Sequence, residues 1–144
     1  MVPLKARLLL ADDHVVVRRG LRLILDAEPD LEVVAEAGDG AEAVDLALAE
    51  DIDLAVLDVS MPRLTGLQAA RQLSERSSGV RVLMLSMHDS DQYLFEALRA
   101  GASGYVVKAA ADRDLVEAIE DSYDLVVSKL PRARRRALGW PGDG

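Results

Sequence analysis

Near its start the chain reads Arg7-Leu8-Leu9-Leu10-Ala11-Asp12-Asp13, a short apolar run that ends in a pair of acids. Three later runs have the same form: Leu54-Ala55-Val56-Leu57 precedes Asp58, Val82-Leu83-Met84-Leu85 precedes Ser86, and Gly104-Tyr105-Val106-Val107 precedes Lys108. Each run has the length and composition of a buried strand, and each closing residue can handle phosphate or metal. In open parallel α/β sheets the ligand crevice lies just outside the carboxyl ends of the strands. The four endings therefore predict a single site.

The composition is that of one globular domain. Of the 144 residues, 50% are hydrophobic and 3% aromatic, so the core must be built from Leu, Val, Ala and Ile. The chain has no Cys, which excludes disulfides and thiolate metal sites. Its N-terminus lacks a signal-peptide pattern, and no apolar run approaches the roughly 18 residues needed to span a bilayer. We expect a soluble, cytoplasmic protein.

Charge is spread unevenly along the chain. The net charge is −8, but residues 129–144 hold five Lys and Arg against one Asp, which leaves −12 on residues 1–128. An acidic body is a poor binder of nucleic acid, because phosphate contacts need Lys and Arg. It is a plausible holder of a divalent cation.

Strand and helix patterns alternate along the chain. Five strands are predicted at Arg7–Ala11, Leu31–Ala35, Asp53–Leu57, Val80–Ser86 and Tyr105–Val107. Five helices are predicted at His14–Ala27, Ala41–Glu50, Leu67–Arg76, Ser90–Ala100 and Asp112–Val127, with Asp39 or Gly40, Thr65, and Asp89 or Ser90 as candidate caps. Strict alternation predicts an α/β fold, a doubly wound parallel sheet with helices on both faces.

The closing residues form a chemically coherent set. Asp12, Asp13 and Asp58 would repel one another unless a cation lay between them, and oxygen ligands favour Mg²⁺, with Mn²⁺ as a possible substitute. Phosphoryl transfer depends on positioning and on neutralising the phosphoryl oxygens. Mg²⁺, Lys108 and the Ser86 hydroxyl could each take one oxygen, and Asp58 would be the nucleophile.

Each of these residues also has an ordinary structural explanation. Asp12-Asp13 or Asp58 could cap a helix, Ser86 could form a turn, and Lys108 could be a solvated surface lysine. Single short motifs carry a high risk of false matches. Four of them, each at a different strand end, are hard to explain as caps.

The motifs together resemble a response-regulator receiver domain of two-component signalling, over about residues 5–127. The resemblance is carried by Asp12-Asp13-His14, Asp58-Val59-Ser60-Met61-Pro62 with Gly66, Ser86-Met87-His88-Asp89, and Gly101-Ala102-Ser103-Gly104-Tyr105-Val106-Val107-Lys108. Arg19-Gly20-Leu21 and Leu85-Ser86-Met87-His88-Asp89 are most similar to the NarL/FixJ (LuxR-type) subfamily. The resemblance implies a flavodoxin-like sheet with strand order 2-1-3-4-5.

The resemblance also assigns roles to individual residues. Asp58 would be the phosphoacceptor, charged by a sensor histidine kinase. Asp13, Asp58 and the Ser60 carbonyl would bind Mg²⁺ directly, and Asp12 mostly through water. Ser86 and Lys108 would bind the phosphoryl oxygens, and Tyr105 would turn inward with Ser86 as a switch, although it could also be a half-buried strand residue with a wet hydroxyl. Ser60 and His88 would modulate phosphoryl lifetime, and His14 would be a helix-start residue.

The expected function is a phosphorylation-controlled receiver that switches self-association or output, with transcription regulation as the expected outcome. We expect a homodimer, no membrane contact, and DNA contact only through an output domain that this chain is too short to hold. Residues 5–128 would form the receiver and residues 129–144 a basic tail or truncated linker, disordered or partly helical. We expect no enzyme activity beyond its own phosphorylation and dephosphorylation.

Three other functions deserve comparison. An aspartyl-phosphate hydrolase would need Asp-x-Asp, whereas Ser60 holds the second place here. A phosphorylation-independent interaction module would usually lack one of five residues that are all present here: Asp12, Asp13, Asp58, Ser86 and Lys108. A DNA-binding regulator in its own right is disfavoured by the acidic body.

Overall fold

The computed structural model describes residues 5–76, 79–87 and 91–128, and at residue 91 and residues 123–128 it describes the backbone alone. The strands are β1 (Ala6–Ala11), β2 (Leu31–Ala37), β3 (Leu54–Asp58), β4 (Arg81–Ser86) and β5 (Gly104–Val107). The helices are α1 (Val15–Asp26), α2 (Gly40–Ala49), α3 (Gly66–Glu75), α4 (Asp91–Arg99) and α5 (Ala111–Ser128). A short 3-10 helix, Lys108–Ala110, joins β5 to α5.

The five strands form one parallel sheet in the order β2-β1-β3-β4-β5. This confirms the predicted fold class and the strand order implied by the resemblance. In the register of the central strands, Ala11 lies beside Leu57 and Asp58 beside Leu85. The carboxyl ends of these strands are therefore at the same edge of the sheet, as the four strand endings require.

Alternating residues of the central strands bury two separate cores. Leu9, Ala55 and Met84 belong to the core cluster shared with α2 and α3. Leu8, Val56 and Leu83 belong to the opposite cluster, shared with α1 and α5. Because both faces of the sheet are covered, β1, β3 and β4 have no solvent face, which explains why their sequences read as continuous apolar runs.

Side-chain caps define the start of two helices as predicted. The Asp39 carboxylate accepts the Glu42 N–H at 2.8 Å and caps α2. Thr65 and Gln68 form a capping box at α3, in which each side chain accepts the other's backbone N–H. The proposed caps Asp89 and Ser90, His88 and the tail 129–144 lie outside the described residues.

Most boundaries differ from prediction by one residue, and β2 differs by two. It continues past Ala35 to Ala37 because Leu10 and Ala11 of β1 pair with Glu36 and Ala37. That pairing follows a register shift between Leu8 and Leu9 that the apolar pattern does not reveal. Among the described residues, no helix is both long and apolar enough to cross a membrane.

Candidate functional site

The acids from two neighbouring strands meet at the edge of the sheet. Asp12 follows β1 and is fully buried, and Asp58 ends β3 and is nearly so. Asp13 is more open to solvent. One ligand atom from each of Asp12, Asp13, His14 and Asp58 lies within 4.8 Å of all the others. The structure thus brings together the three carboxylates that the sequence predicted for one site.

Lys108 reaches this cluster from the end of β5. Its Nζ lies 2.8 Å from Asp12 Oδ2 and 3.0 Å from Asp58 Oδ2, and its side chain is 12% exposed. Lys108 is therefore not the solvated surface lysine of the ordinary explanation. It begins the 3-10 helix, which turns the chain at the sheet edge.

Burial and charge perturb the protonation of both partners. Burial raises the pKa of Asp58 above that of an ordinary carboxyl group, and the nearby Asp12 carboxylate also raises it, against the opposing hydrogen bond from Lys108. Burial alone would lower the pKa of Lys108, but its contacts with Asp12 and Asp58 raise it above the usual lysine value. Lys108 is thus held as an ammonium, whereas ionised Asp58 carries an energetic cost.

The acid pair does not cap α1. His14 occupies the N-cap position and makes no side-chain cap hydrogen bond. Asp12 Oδ1 accepts the His14 N–H at 2.9 Å, so this acid does order the turn that leads into α1. The His14 Nδ1 lies 3.3 Å from one oxygen each of Asp12 and Asp13, which places His14 beside the site as a helix-start residue.

The loop after β3 is held tightly against Asp58. The Gly66 N–H donates to the Val59 carbonyl at 3.0 Å, and the Ser60 N–H lies 3.4 Å from Asp58 Oδ1. A Cβ at Gly66 would lie 1.9 Å from the Asp58 carbonyl oxygen, so glycine is required there. Ser60 itself is exposed and adjoins the phosphoacceptor candidate.

Ser86 and Tyr105 occupy neighbouring strands. Ser86 is the buried last residue of β4, paired in register with Val107. Tyr105 is half-buried on β5 beside Met84 and packs against the core cluster that contains Met84. It also lines an open groove of about 680 Å³ between α4 and α5, together with Leu94 and Ala118.

The donor set fits a hard divalent cation. The acidic groups offer only oxygen atoms, and the Lys108 ammonium contacts two of the three carboxylates, those of Asp12 and Asp58. Asp12 Oδ2 is buried, and in the part of the chain that the structure describes its neighbour is the Lys108 ammonium at 2.8 Å. Mg²⁺ takes oxygen ligands and typically binds through one or two carboxylates, which this cluster can supply.

Sequence reasoning missed one residue beside this cluster. Arg18 of α1 donates from Nη1 to the Asp12 backbone carbonyl at 2.6 Å. A helical pattern shows only that Arg18 lies off the buried face. The contact depends on how α1 crosses the ends of β1 and β2, which no local signal reveals.

Comparison with known proteins identifies the class. Residues 8–120 match the family model described as the response regulator receiver domain. The chain is 40% identical over 116 residues to the transcriptional regulatory protein DegU of Brevibacillus brevis, covering 81% of this chain and 49% of the relative. It is 45% identical over 115 residues to the DNA-binding transcriptional activator DevR/DosR of Mycobacterium tuberculosis, covering 80% of this chain and 53% of that protein.

A solved structure agrees in fold. The signal receiver domain of the putative response regulator NarL from Mycobacterium tuberculosis matches with a TM-score of 0.81 and 35% identity, covering 85% of this chain and 98% of that one. The chain therefore belongs to the response-regulator receiver family, and its relatives are LuxR-family regulators of the NarL, DegU and DevR type. It spans about half the length of the curated relatives that it matches.

Proposed function

We propose that Asp58 is the phosphoacceptor of a two-component switch and takes its phosphoryl group from the phosphohistidine of a sensor histidine kinase. In this step an Asp58 carboxylate oxygen forms a bond to phosphorus while the phosphorus–nitrogen bond to the histidine breaks, and the electron pair leaves with the imidazole. The observation that carries the proposal is the buried Asp58 carboxylate, which shares the Lys108 ammonium with Asp12 at the carboxyl edge of the sheet.

A divalent cation, Mg²⁺ or Mn²⁺, completes the proposed site. Asp13, Asp58 and the Ser60 carbonyl would hold it directly and Asp12 mostly through water. When bound, it would neutralise charge on the transferred phosphoryl group and on the acids around it.

Lys108 and Ser86 would hold the phosphoryl oxygens that the cation does not. The ammonium already lies 3.0 Å from Asp58, so it can follow the new negative charge without crossing the site. Ser86 is at the end of the strand that pairs with β3, one residue beyond the Asp58 partner Leu85. Charge stabilisation by preplaced groups is the main requirement of this chemistry.

The proposed chemistry is limited to the chain's own phosphorylation and dephosphorylation. Ser60 stands where aspartyl-phosphate hydrolases carry a second acid, so turnover of small substrates is not expected. Ser60 and His88 would instead tune how long the phosphoryl group lasts.

The proposed output is a change of partner or of self-association. Phosphorylation adds about −1.5 to −2 charges at one point, and movement of Ser86 toward them would free space for Tyr105 to turn inward. The elements that would respond are α4, β5 and α5, and α4 carries the exposed side chains Phe95 and Leu98. We propose a cytoplasmic homodimer that regulates transcription through a separate DNA-binding output domain, as the names of the relatives suggest for those proteins.

Treatment with acetyl phosphate, with and without Mg²⁺, tests the proposal. Intact-protein mass spectrometry should show one added phosphoryl group only with the cation, and none in Asp58→Asn. The matched control is Asp45→Asn, which removes an exposed acid on α2 and should leave labelling unchanged. A chain that gave no response to acetyl phosphate or beryllofluoride would support a phosphorylation-independent interaction module instead.

A further inference from the structure

Arg18 connects the acid pair to the edge of the sheet. Its Nη1 donates to the Asp12 carbonyl at 2.6 Å and lies 3.3 Å from the Ala37 carbonyl, the last residue of β2. The Ala37 carbonyl also accepts the Asp12 N–H at 3.0 Å. The peptide groups on both sides of Asp12 are therefore fixed, one by β2 and the other by Arg18.

The Asp12 carbonyl belongs to the peptide bond that leads into Asp13. Rotation of this peptide would swing the Asp13 carboxylate, because a backbone dihedral moves every atom beyond it. Arg18 is the side chain that holds this peptide from outside the acid cluster, and it is 18% exposed. The guanidinium group of arginine is planar and rigid, so little conformational entropy is lost for each hydrogen bond that it forms.

Glu36 keeps the Arg18 guanidinium in place and offsets its charge. Glu36 Oε1 accepts from Arg18 Nε at 2.9 Å, and the other carboxylate oxygen accepts from Arg22. A guanidinium without this partner would add a positive charge beside a site that attracts cations. The pair with Glu36 lets Arg18 orient the acid pair with less of that electrostatic cost.

We propose that Arg18 is a positioning residue for the cation site, acting through the Asp12–Asp13 peptide. The inference rests on the proposed function, since it assigns to Arg18 the preorganisation of the acids that would hold Mg²⁺. Partners that orient metal ligands typically contribute 10–100-fold to metal affinity. Loss of Arg18 should therefore weaken cation binding about tenfold. The phosphorylation rate at saturating cation should change little, because Asp58 and Lys108 are untouched.

Arg22 is a matched control on the same helix. It also pairs with Glu36 and also donates to a β2 carbonyl, that of Val33 at 3.3 Å. It makes no described contact with Asp12 or Asp13. Arg18→Ala and Arg22→Ala each remove an arginine from the same network, so a purely structural role would affect both variants alike.

The experiment measures Mn²⁺ binding directly, from the electron paramagnetic resonance signal of the free ion, in the full chain and each variant. Mg²⁺ dependence of labelling by acetyl phosphate gives the half-saturating cation concentration and the maximal rate separately. Arg18→Ala should shift both Mn²⁺ affinity and half-saturating Mg²⁺ about tenfold with a near-normal maximal rate, and Arg22→Ala should shift neither. Arg18→Lys, which keeps one donor and the charge, should recover part of the loss and serves if Arg18→Ala fails to fold.

The possible results separate the inference from the proposed function. Equal Mn²⁺ affinities in wild type, Arg18→Ala and Arg18→Lys would overturn the positioning role while leaving the phosphoacceptor intact. A shift of the same size in Arg22→Ala would also overturn it, since the effect would then belong to the shared ion-pair network. A wild-type chain that bound no Mn²⁺ and took no label would overturn both proposals.

Discussion

At the scale of single residues, Asp58 shows a conflict between stability and function. Because burial raises its folded-state pKa, the folded chain binds this proton more tightly than the unfolded chain does. The resulting stabilisation is complete below the unfolded pKa and is lost as pH rises through the folded pKa. Above that folded pKa, ionised Asp58 therefore destabilises the fold, as is common for groups retained at functional sites.

Asp58→Asn should consequently raise the melting temperature in metal-free buffer at pH 7, by roughly a few degrees. This difference in melting temperature should shrink as pH falls through the folded-state pKa of Asp58. Added Mg²⁺ should also reduce the difference, by stabilising only the wild type. Asp53→Asn is the control, because the Asp53 carboxylate accepts the Arg7 N–H at 2.8 Å, and this substitution should not raise the melting temperature. A lower melting temperature for Asp58→Asn would contradict the prediction.

Glu36 makes folding stability depend on pH in the opposite direction to Asp58. Burial would raise its pKa, but hydrogen bonds and charge from Arg22 and Arg18 outweigh it and lower the pKa below the usual carboxyl value. Its stabilisation is therefore present above the unfolded pKa and is lost as pH falls through the folded pKa. Glu36→Gln should cost about 1 kcal/mol at pH 7, since the pair is partly exposed.

Denaturant titrations of wild type and Glu36→Gln at several pH values between 7 and 3 test this linkage. The difference in unfolding free energy should narrow toward the acid end. Comparing two variants at each pH removes the contribution of the other acids. A difference that stayed constant with pH would show that Glu36 acts by packing and not by charge.

At the scale of elements, the start of α3 depends on glycine for steric reasons. A Cβ at Gly66 would lie 1.9 Å from the Asp58 carbonyl oxygen and 3.0 Å from Met84 Cε, and the carbonyl oxygen cannot yield without moving Asp58. Gly20, on the exposed face of α1, has no atom of the described residues within 4 Å of the corresponding position. The two glycines form a natural matched pair.

Gly66→Ala should destabilise the fold by more than about 2 kcal/mol and sharply reduce phosphorylation, because the strain falls on Asp58. Gly20→Ala should instead stabilise α1 by about 0.5–1 kcal/mol, the usual helical preference for alanine over glycine. Chemical denaturation and acetyl phosphate labelling of both variants measure the contrast. If Gly66→Ala and Gly20→Ala changed the free energy of unfolding equally, the backbone at the start of α3 would have to move to make room for the new Cβ.

The elements also show what sequence could predict. Buried strands can be predicted from sequence, because β1, β3 and β4 are covered on both faces and must be apolar throughout. Asp39 and Thr65 were predicted as caps because capping is local chemistry. The end of β2 and the contact from Arg18 were not predicted, since both depend on which residues lie across the sheet.

The site was predictable for a related reason. Strand order and parallel direction bring the strand endings to one edge, so Asp12, Asp58 and Lys108 needed only to be recognised as strand endings. The distances, the burial and the perturbed pKa values needed coordinates. The chemical roles assigned to the site residues all stay predictions, because proximity alone does not show phosphorylation or cation binding. These residues are Asp12, Asp13, Asp58, Ser60, Ser86, His88, Tyr105 and Lys108.

At the scale of the whole molecule, the self-association proposed above can be assigned to one face. Phe95 on α4 is 59% exposed, and Leu23 on α1 is 75% exposed. Both are large apolar side chains at the surface, but only Phe95 is on a helix that lines the groove with Tyr105, through its neighbour Leu94. A structural change transmitted from Asp58 through Ser86 and Tyr105 should reach the surface around Phe95 and not the surface around Leu23.

With Mg²⁺ and beryllofluoride, sedimentation velocity should show the wild type shifting from monomer to dimer, and Asp58→Asn should stay monomeric. Phe95→Asp should accept the phosphoryl group normally yet remain monomeric, because a buried charge at an apolar interface costs more than the contact gains. Leu23→Asp, the same type of substitution on α1, should dimerise like wild type. If Phe95→Asp dimerised and Leu23→Asp did not, the dimer interface would lie at α1 instead. If the mass stayed unchanged in every sample, the switch would act on a different partner.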